Sequence, residues 1–591
     1  MKAVIEQRLQ AIGQQFVDDG DLPAEVSVRP DLTVPKDPAH GDFASNLAMQ
    51  LARPMKQSPR AIAERIVAAF GEVAGVKRIE IAGPGFMNFF VEAGAAFALI
   101  DRILDEGERF GRSTAAAGQR VQVEFVSANP TGPLHVGHGR GAAYGSVVAN
   151  LLEAIGAEVE REYYVNDAGR QMHILAVSVW LRYLELQGET IQFPSNGYRS
   201  EGYILDIARS LADEQGQTAA RRLVVESARV FADLPEDAPA GDQERHIDAL
   251  IERMRELLGE TDYQLVFRTA IDAILSDIRA DLADFGVTYD NWYSEQSLAD
   301  RGLVERGIER LEAAGHVYQR DGALWFRSTD FGDDKDRVLR RDNGETTYFA
   351  SDVAYHLDKF ERGFDQVIDI WGADHHGYVS RVKAAMKALG KPDDRLVVSL
   401  VQFAILYRGG ERVPMSTRSG SFVTLRELRE EVGNDAARFF YVMRAANQHL
   451  DFDLDLAKSQ SNENPLYYIQ YAHARVASVL RQLPLRGFVH EPEVGRAAYQ
   501  RLTESHEQEL FKQLSQYPAL IERAARAHEP HQLVHYLRAL AQDFHSYYNA
   551  HAFLLGDDAP LRNARLNLVV ATRQVLANGL ALLGVNAPDE M

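Results

Sequence analysis

The sequence predicts an α/β protein with a parallel sheet, preceded by a small α+β unit and followed by an all-helical region. The main observation is a buried strand over 121–126, a turn rich in Pro and Gly, a helix over 139–155 and a second strand over 157–165. Strand, crossover helix and strand form a βαβ unit, which implies a parallel sheet. From about residue 462 onward the apolar residues follow the helical period alone, as in a helical bundle.

A chain of 591 residues is long enough for several domains, and its pattern changes along the sequence. Residues 1–110 combine helical patterns with strands over 78–81 and 86–91, as expected for a small α+β domain. We assign residues 111–460 to the sheet-containing domain, with a mostly helical, acidic insertion at about 170–285, and residues 461–591 to the helical domain. Further strand patterns of the middle domain lie at 323–326, 366–371 and 396–401.

Composition restricts the class of protein. With 46% hydrophobic and 25% charged residues the chain is globular, and without cysteine it has no disulfide, thiolate zinc site or cysteine nucleophile. No structural zinc is therefore expected. The first residues are typical of an amphipathic helix rather than a signal peptide, and no run of about 18 apolar residues occurs. These features predict a cytoplasmic protein without a membrane partner.

The formal net charge of −21 argues against a polyanionic partner. In a large protein this inference is weak, because binding depends on where the charges lie. Acidic residues cluster around 233–244, whereas Arg337, Arg340 and Arg341 form a locally basic segment.

Residues 128–138 read Ala-Asn-Pro-Thr-Gly-Pro-Leu-His-Val-Gly-His and directly follow the first buried strand. Ligands of open α/β sheets bind at the carboxyl ends of strands, and a helix N-terminus there favours phosphate. His135 and His138 lie at i and i+3, so both face one side of the helix start and can donate to phosphate oxygens. A metal pair is the alternative, weakened because a hydrolytic zinc helix places a Glu beside the first His and the second His at i+4.

A second loop, 412–421, reads Arg-Val-Pro-Met-Ser-Thr-Arg-Ser-Gly-Ser and follows an apolar strand. Such a loop can close over a triphosphate. By itself it is equally typical of a solvated turn.

Together, the two segments resemble the two signatures of class I aminoacyl-tRNA synthetases, and further segments narrow the resemblance to the arginyl-tRNA synthetase family. The segments similar to that family are 40–46, 124–130, 164–171, 347–356, 372–378 and 464–475. The resemblance spans nearly the whole chain. It implies a Rossmann-like catalytic domain, an N-terminal tRNA-binding domain and a C-terminal anticodon-binding domain.

The resemblance also implies roles for individual residues. The catalytic residues would be His135, His138 and Arg418; the ATP-binding residues would be Gly137, Gly372, Asp374, His375, Met415 and Ser416. The arginine-binding residues would be Glu124, Ser127, Asn129, Glu295, Tyr348 and Asp352; the tRNA-binding residues would be Asn46, Tyr547 and Met591. Tyr348 and Asp352 lie at i and i+4, hence on one helical face, where carboxylate and phenol oxygens suit a guanidinium. The alternative is an ordinary helix-surface pair.

The implied reaction joins L-arginine to its cognate tRNA(Arg) through an adenylate formed from ATP with magnesium. Since the attacking arginine carboxylate is already an anion, positioning and stabilisation of phosphate charge are the main requirements. The family resemblance further implies that activation requires bound tRNA and that the enzyme is a monomer.

The second loop departs from the class pattern. Pro414 and Thr417 occupy its two lysine positions, and no lysine precedes the first signature to compensate. The sequence therefore predicts that Arg418 or Arg412 supplies the missing positive charge.

Two other functions remain open. A small-molecule nucleotidylyltransferase could carry the first signature, but would not need the terminal domains or the Tyr348–Asp352 pair. A non-catalytic tRNA-binding relative is suggested by the missing lysines, although the two histidines argue against it. For Tyr547, a place in the bundle core is about as favourable an interpretation as a stacking role.

Overall fold

The computed structural model describes residues 2–23, 25–35, 37–73, 75–91, 93–199, 202–214, 221–238, 242–414 and 422–591. Within them the helices are α1 (Lys2–Asp18), α2 (Leu47–Met55), α3 (Pro59–Phe70), α4 (Ala93–Glu106), α5 (Val136–Ala154), α6 (Arg170–Leu186), α7 (Tyr203–Glu214), α8 (Ser227–Val230), α9 (Gln243–Asp284), α10 (Gln296–Asp300), α11 (Leu303–Ala313), α12 (Tyr348–Glu361), α13 (His376–Ala388), α14 (Leu425–Val432), α15 (Asn434–Val442), α16 (Leu454–Lys458), α17 (Pro465–Leu485), α18 (Pro492–Arg496), α19 (Ser505–Ala527), α20 (Pro530–Ala550) and α21 (Ala559–Leu583). The strands are β1 (Leu32–Thr33), β2 (Phe43–Ser45), β3 (Val76–Ala82), β4 (Phe86–Val91), β5 (Arg120–Phe125), β6 (Glu158–Val165), β7 (Asn291–Ser294), β8 (Val317–Arg320), β9 (Ala323–Phe326), β10 (Arg337–Arg340), β11 (Gln366–Gly372), β12 (Leu396–Val401), β13 (Ala404–Arg408), β14 (Glu411–Arg412) and β15 (Leu450–Asp453).

The central sheet is fully parallel, with the strand order β12-β11-β5-β6-β7. The chain runs from β5 outward to β6 and β7 and then returns to β11 on the other side of β5. The topological switch point therefore lies between β5 and β11, where a ligand crevice is expected. This sheet confirms the predicted fold class of the middle domain.

The strands differ from the sequence analysis in two respects. Eight short strands of two to five residues were not predicted: β1, β2, β7, β8, β10, β13, β14 and β15. The strand over 323–326 exists but pairs antiparallel with β8 and β10 in a separate three-stranded sheet. Asp321 and Gly322 both adopt positive φ (49° and 79°), the conformation of a tight hairpin turn, so β9 folds back on β8.

Glycines allow α5 to pack closely on β5. A Cβ atom on Gly145 would come within 2.2 Å of the Phe125 ring, and one on Gly139 within 2.7 Å of Tyr441. Arg140, almost fully buried, donates to the carbonyl oxygens of Gln402, Ala445 and Gln448 at 2.7–2.9 Å. These contacts fix the start of α5 against the loops that follow β12 and α15.

The N-terminal unit has its own antiparallel sheet, in the order β1-β2-β4-β3, and its own apolar core formed with α1, α2 and α3. The α+β character predicted for this unit is confirmed. Helix α4 packs elsewhere: Ile100 and Ile103 belong to the large core shared by the sheet domain and the helical region.

Helices account for the C-terminal region, as predicted for an all-α domain. Its last helix, α21, is long and apolar enough to cross a membrane by length and composition. However, 72% of the most apolar 18-residue stretch of this helix is buried inside the protein, as expected for the central helix of a bundle.

Candidate active site

Strand β5 ends in an unusual backbone turn that shapes the site. Val126 and Ser127 both have positive φ (70° and 43°), and the Ser127 N–H donates to the Phe125 carbonyl at 3.1 Å. This is a γ-turn of the rare, strained kind, held at a position where a β-branched residue costs free energy. The turn directs the Ser127 hydroxyl to Glu124 Oε1 (2.9 Å) and lets it accept from the Tyr164 N–H (3.1 Å).

The two histidines of the first signature stack on each other at the start of α5, with ring centroids 3.7 Å apart. His135 Nδ1 accepts from the Gly137 N–H at 3.0 Å, and His138 Nδ1 accepts from the His135 N–H at 3.3 Å. Because both Nδ1 atoms are acceptors, the neutral rings carry their protons on Nε2. Burial lowers the pKa of His135; burial and the neighbouring His135 lower the pKa of His138 to about 3. Both rings are therefore neutral donors at pH 7.

Backbone hydrogen bonds join the first signature to the residues that follow the second loop. The Val136 N–H donates to the Val423 carbonyl at 3.1 Å, and the Leu425 N–H to the Leu134 carbonyl at 2.8 Å. Met415, Ser416, Thr417 and Arg418 lie outside the described residues. Of the two candidate replacements for lysine, the structure therefore describes only Arg412, which is exposed on β14.

Carboxylates accumulate beside the ends of β5, β6 and β7. Burial, then the charges of Asp352 and Asp167, raise the pKa of Glu295 to about 7. Burial also raises the pKa of Asp352 to about 6, where Glu124 adds to the effect and His356 opposes it. These carboxylates have too few cations around them, so the site favours a positively charged ligand.

A cavity of about 300 Å³ opens beside these carboxylates. Its lining residues are Ala168, Gly169, Glu295, Arg341, Thr346, Thr347, Tyr348 and Ser351. Tyr348 and Asp352 lie on the first turns of α12, whose N-cap Thr347 accepts from the Ala350 N–H. The Tyr348 side chain is 68% exposed, far more than expected of an aromatic residue on a half-buried helix, and it faces the cavity.

Below the carboxylates lies a buried ionic network that the sequence analysis missed. Lys359, fully buried, contacts Glu124 Oε2 at 2.5 Å and Asp369 Oδ1 at 2.7 Å. His356 Nε2 lies 2.8 Å from Asp369 Oδ2, and its Nδ1 lies 2.7 Å from the Asp352 carbonyl. Since both ring nitrogens face acceptors, His356 is protonated: burial lowers its pKa, but Asp369 more than compensates and the net shift is upward.

This network could have been detected from the helical period. Asp352, His356 and Lys359 lie at i, i+4 and i+7 of α12, on a face that is otherwise buried. Tyr355 extends the network, since its hydroxyl lies 2.9 Å from Glu124 Oε2 and 2.6 Å from Glu162 Oε1. Glu124 is thereby fixed from three sides.

The predicted ATP-binding residues other than Gly137 and those of the second loop lie at the end of β11. A Cβ atom on Gly372 would meet Asp374 Oδ1 at 2.4 Å, so glycine leaves room for this carboxylate. His375 Nδ1 lies 3.4 Å from the same Asp374 oxygen, and both side chains are exposed. They follow β11, next to the switch point, whereas Glu295 follows β7 on the opposite side of β5.

Asn129 and Asn46 are the predicted site residues with exposed amides. Asn129 Nδ2 donates to Gln171 Oε1 at 3.0 Å, which links the turn after β5 to the start of α6. Asn46 is at the N-terminus of α2, where its Oδ1 accepts from Gln50 at 2.8 Å.

The two C-terminal residues predicted to contact tRNA differ in accessibility. Tyr547 is fully buried and donates its hydroxyl proton to Glu507 at 2.9 Å, so the structure favours the core interpretation for this ring. Met591 is 51% exposed. The tail before it is held by Arg573, which contacts Asp589 at 2.6 Å.

The helical C-terminal domain has a half-buried aromatic surface, in which the sequence suggests Tyr548 as a stacking ring but does not predict the part of Tyr467, Tyr471 and Arg475. Tyr467 and Tyr471 stack at 5.8 Å, and the Arg475 guanidinium lies 4.5 Å from the Tyr471 ring and 4.6 Å from the Tyr548 ring. The i, i+4, i+8 spacing on α17 is the sequence signal that could have found it. Such alternating aromatic and guanidinium planes are suited to stacking with splayed bases.

Comparison with known proteins agrees with this geometry. The family models that match are the arginyl tRNA synthetase N terminal domain (residues 1–91), the catalytic domain of tRNA synthetases class I (R) (residues 99–223 and 251–450) and the DALR anticodon binding domain (residues 469–591). The chain is 63% identical to an arginine–tRNA ligase of Thioalkalivibrio sulfidiphilus over 100% of this chain and 99% of the relative. It is 56% identical to an arginine–tRNA ligase of Legionella pneumophila over 100% of both chains.

Solved structures share the fold. The structure is similar to the arginyl-tRNA synthetase of Thermus thermophilus, with a TM-score of 0.74 at 24% identity over 100% of both chains. A putative arginyl-tRNA synthetase from Campylobacter jejuni matches 85% of this chain and 100% of its own length, with a TM-score of 0.71 at 29% identity. With matches to all three domain models and high identity over its full length, the chain belongs to the arginyl-tRNA synthetase family.

Proposed function

We propose that this protein ligates L-arginine to its cognate tRNA in two steps, through an arginyl-adenylate. The observation that carries the proposal is one arrangement at the carboxyl edge of the parallel sheet. A pair of neutral histidine donors at a helix N-terminus lies on one side, and a cation-deficient carboxylate cluster with a cavity lies on the other. The first suits phosphate and the second suits arginine.

Arginine recognition is assigned to the carboxylate side. Glu295, Asp352 and the Tyr348 hydroxyl offer oxygens for the planar fork of the guanidinium. Ser127 and Asn129, with Glu124 beneath them, would hold the amino-acid end near the γ-turn. Lysine concentrates its charge on one ammonium group, and glutamine has no charge. Neither side chain can pair with several carboxylate oxygens in the way that a planar guanidinium does.

In the first step, an oxygen of the arginine carboxylate forms a bond to the α-phosphorus of ATP while the bond to pyrophosphate breaks. The Nε2–H groups of His135 and His138 would stabilise the added negative charge, and Gly137 would let the phosphates approach the start of α5 closely. Gly372, Asp374 and His375 would contact the adenosine portion across the switch point. Met415, Ser416 and Arg418 are proposed as further contacts of ATP.

Magnesium would arrive bound to ATP. Among the described residues no group of three or more His, Asp or Glu side chains is arranged to hold a metal ion, so no step is assigned to a protein-held metal.

In the second step, a hydroxyl of the terminal tRNA adenosine attacks the arginyl carbonyl, and AMP leaves. We propose that residues 1–110, through Asn46, and residues 461–591, through Met591, bind other parts of tRNA(Arg), and that residues 111–460 perform the chemistry.

Tyr547 lacks an exposed face, so the neighbouring Tyr471, Arg475 and Tyr548 are better supported as the base-stacking surface. We further propose that the protein acts as a cytoplasmic monomer.

ATP–pyrophosphate exchange tests the proposal. Exchange is expected with arginine in the presence of tRNA(Arg), and not with lysine or glutamine. If exchange is absent under all conditions while tRNA binding is retained, the proposal is rejected and a non-catalytic tRNA-binding protein is favoured. Exchange that occurs without arginine, lysine or glutamine would favour a small-molecule nucleotidylyltransferase.

Replacement of His135 separates its two roles. Asn can still cap α5 through its side-chain oxygen, whereas Ala cannot, and neither retains the Nε2 donor. Both His135→Asn and His135→Ala are expected to lose roughly 100-fold or more in exchange rate. Only His135→Ala should also lose about 0.5–2 kcal/mol of stability, measured by denaturant unfolding. Equal exchange in His135→Asn and the wild type would contradict a role for this ring at the phosphates.

A further inference from the structure

Four cationic or potentially cationic side chains gather where the sheet domain meets the helical C-terminal domain. His531, His535 and Arg538 lie at i, i+4 and i+7 on α20, hence on one face, and the two rings are 5.9 Å apart. Arg444 joins them from the loop after α15. The pKa of His535 is lowered by burial and then by the charges of His531, Arg538 and Arg444. We call these four residues the junction patch.

The junction patch is unusual for this protein. The chain carries a net charge of −21, and most of its arginines are paired with carboxylates. Among the described residues neither Arg444 nor Arg538 forms an ion pair, and His531 Nδ1 is buried without a hydrogen-bond partner. Two acidic residues are close in sequence: Glu529, the N-cap of α20, accepts a hydrogen bond from Gln532, and Asp543 follows Arg538 by five residues. Neither forms an ion pair with the patch among the described residues. Unpaired like charges repel one another, so a bound anion would stabilise them.

The patch continues into the aromatic surface of the C-terminal domain. Burial raises the pKa of Tyr468, and the charges of Arg475 and Arg538 oppose this shift while that of Asp543 adds to it, so Tyr468 is close to both groups of cations. Tyr468 also contacts His545, at a ring distance of 4.4 Å, and His545 lies 3.1 Å from Arg475. Along α20, residues 535 and 548 are separated by about 20 Å at 1.5 Å per residue.

In the other direction the patch reaches the catalytic domain. Arg444 precedes Ala445, whose carbonyl accepts from Arg140 at 2.9 Å, and Arg140 lies two residues after His138 on α5. The patch therefore lies between the candidate active site and the aromatic surface.

We infer that the junction patch binds the sugar-phosphate backbone of tRNA between its acceptor end and its anticodon. The inference rests on the proposed function, because tRNA is the polyanion that must contact both ends of this surface at once. Arginine side chains pair with phosphate oxygens, and neutral histidines can donate to them. The patch contains no Tyr, Phe or Trp, and its two arginines recognise phosphate rather than base edges, so we expect its contribution to be mainly electrostatic and independent of base identity.

The test is the salt dependence of tRNA affinity in the full-length protein. Arg444→Glu/Arg538→Glu is compared with Arg209→Glu/Arg245→Glu, which changes the net charge equally. Arg209 and Arg245 are exposed on the insertion and already face Asp206 and Asp242. Dissociation constants for tRNA(Arg) are measured by filter binding between about 50 and 300 mM KCl, with the thermal midpoint of each variant as a check on folding.

If the patch binds phosphates, Arg444→Glu/Arg538→Glu should bind tRNA roughly tenfold or more weakly at low salt, with the slope of log K against log salt reduced by about 2. The loss should appear in the KM for tRNA and leave the KM for ATP unchanged. A slope and affinity equal to those of the control would overturn the inference. Arg444→Gln/Arg538→Gln, a milder change, replaces the reversal if the reversal lowers the thermal midpoint.

The wild-type protein separates this inference from the proposed function. A wild type that charges tRNA with arginine, combined with unchanged slopes in both variants, would reject the junction patch alone. A wild type that does not charge tRNA would reject the proposed function whatever the slopes are.

Discussion

Glu295 and Asp352 have pKa values near neutrality because burial and neighbouring carboxylates both disfavour their ionised forms. A bound guanidinium reverses this balance by supplying the missing positive charge. Arginine binding should therefore release protons near pH 6 to 7. We expect such a site to respond to pH mainly through these carboxylates, because burial lowers the pKa of His135 and His138 and keeps both rings neutral at pH 7.

The sign of the pH dependence follows from these raised pKa values. As the pH falls through about 7 and then 6, Glu295 and Asp352 become protonated in the free enzyme and can no longer pair with a cation. With both carboxylates required, arginine affinity should be roughly 20-fold lower at pH 6 than at pH 8. The KM for arginine in tRNA charging, measured across this range at saturating ATP, checks the prediction.

Glu295→Gln provides the control for this pH effect. Gln is neutral at every pH, so the variant should have a higher KM at pH 8 and a flatter profile governed by Asp352 alone. A wild-type KM that does not change between pH 6 and pH 8 would show that these carboxylates do not bind the arginine cation.

Lys359 illustrates a second effect at the residue scale, the cost of leaving buried charges unpaired. It compensates Glu124 and Asp369 within the ionic network. Lys359→Met should lower the free energy of unfolding by about 3–5 kcal/mol, measured in urea, because two buried carboxylates lose their partner. Adding Asp369→Asn should restore part of the loss.

A surface lysine supplies the comparison for Lys359→Met. Lys458 contacts Glu431 at 2.8 Å with 39% of its side chain exposed, so Lys458→Met should cost less than about 1 kcal/mol. Similar losses for the two single variants would mean that the buried network contributes no more than a surface ion pair.

At the scale of elements, close packing of α5 on β5 sets the position of His135 and His138 at the start of the helix. Gly145→Ala would place a methyl group against Phe125 and should destabilise the protein by about 1–3 kcal/mol. Gly141→Ala on the same helix meets open space and should stabilise it by about 0.5–1 kcal/mol. Opposite shifts of the thermal midpoint check the prediction, and a loss in both variants would contradict the packing argument.

The sequence predicted elements well where the apolar pattern was long and local. Strand β5, helix α5 and strand β6 follow from one βαβ pattern, and strands β4 and β12 have the predicted bounds. Strand β7 was missed although β9, of the same length, was found: β7 has polar residues at both ends (Asn291 and Ser294), whereas β9 is apolar throughout. The sheet to which β9 belongs depends on a hairpin turn. Element type is thus local information, whereas sheet membership is not.

The candidate site was predictable to a similar degree. The histidine pair and the Tyr348–Asp352 face came from motif spacing, but Lys359 and His356 are part of the site only because α12 packs over β5 and β11. The helical period places both side chains on the face of Asp352, but it does not show that Glu124 and Asp369 are their partners. Tyr547 shows a second limit of sequence-based prediction, because residue spacing does not distinguish an aromatic ring that stacks on a base from one that packs in a core.

At the scale of the whole molecule, three apolar cores divide the described residues. The largest, the main core, unites the central sheet, α4 and the helical C-terminal domain; a second is formed by side chains between residues 293 and 396, and a third, the N-terminal core, by side chains between residues 5 and 89. Asp101 on α4 contacts Arg496 and Tyr499 of the C-terminal region at 2.9 Å, so α4 is anchored to the body of the protein. The N-terminal unit can therefore be removed without exposing the main core.

A variant lacking residues 1–91 tests this division of labour. Because it keeps the catalytic sheet and the helical C-terminal domain, it should unfold cooperatively and retain its turnover at saturating tRNA within about threefold. Its KM for tRNA should rise roughly 10-fold to 100-fold, since one of the linked binding units is lost. Asn46→Ala in the full chain should give a smaller rise in the same direction. Charging kinetics and thermal unfolding measure both effects, and a collapse of turnover together with loss of cooperative unfolding would show that the main core and the N-terminal core depend on each other.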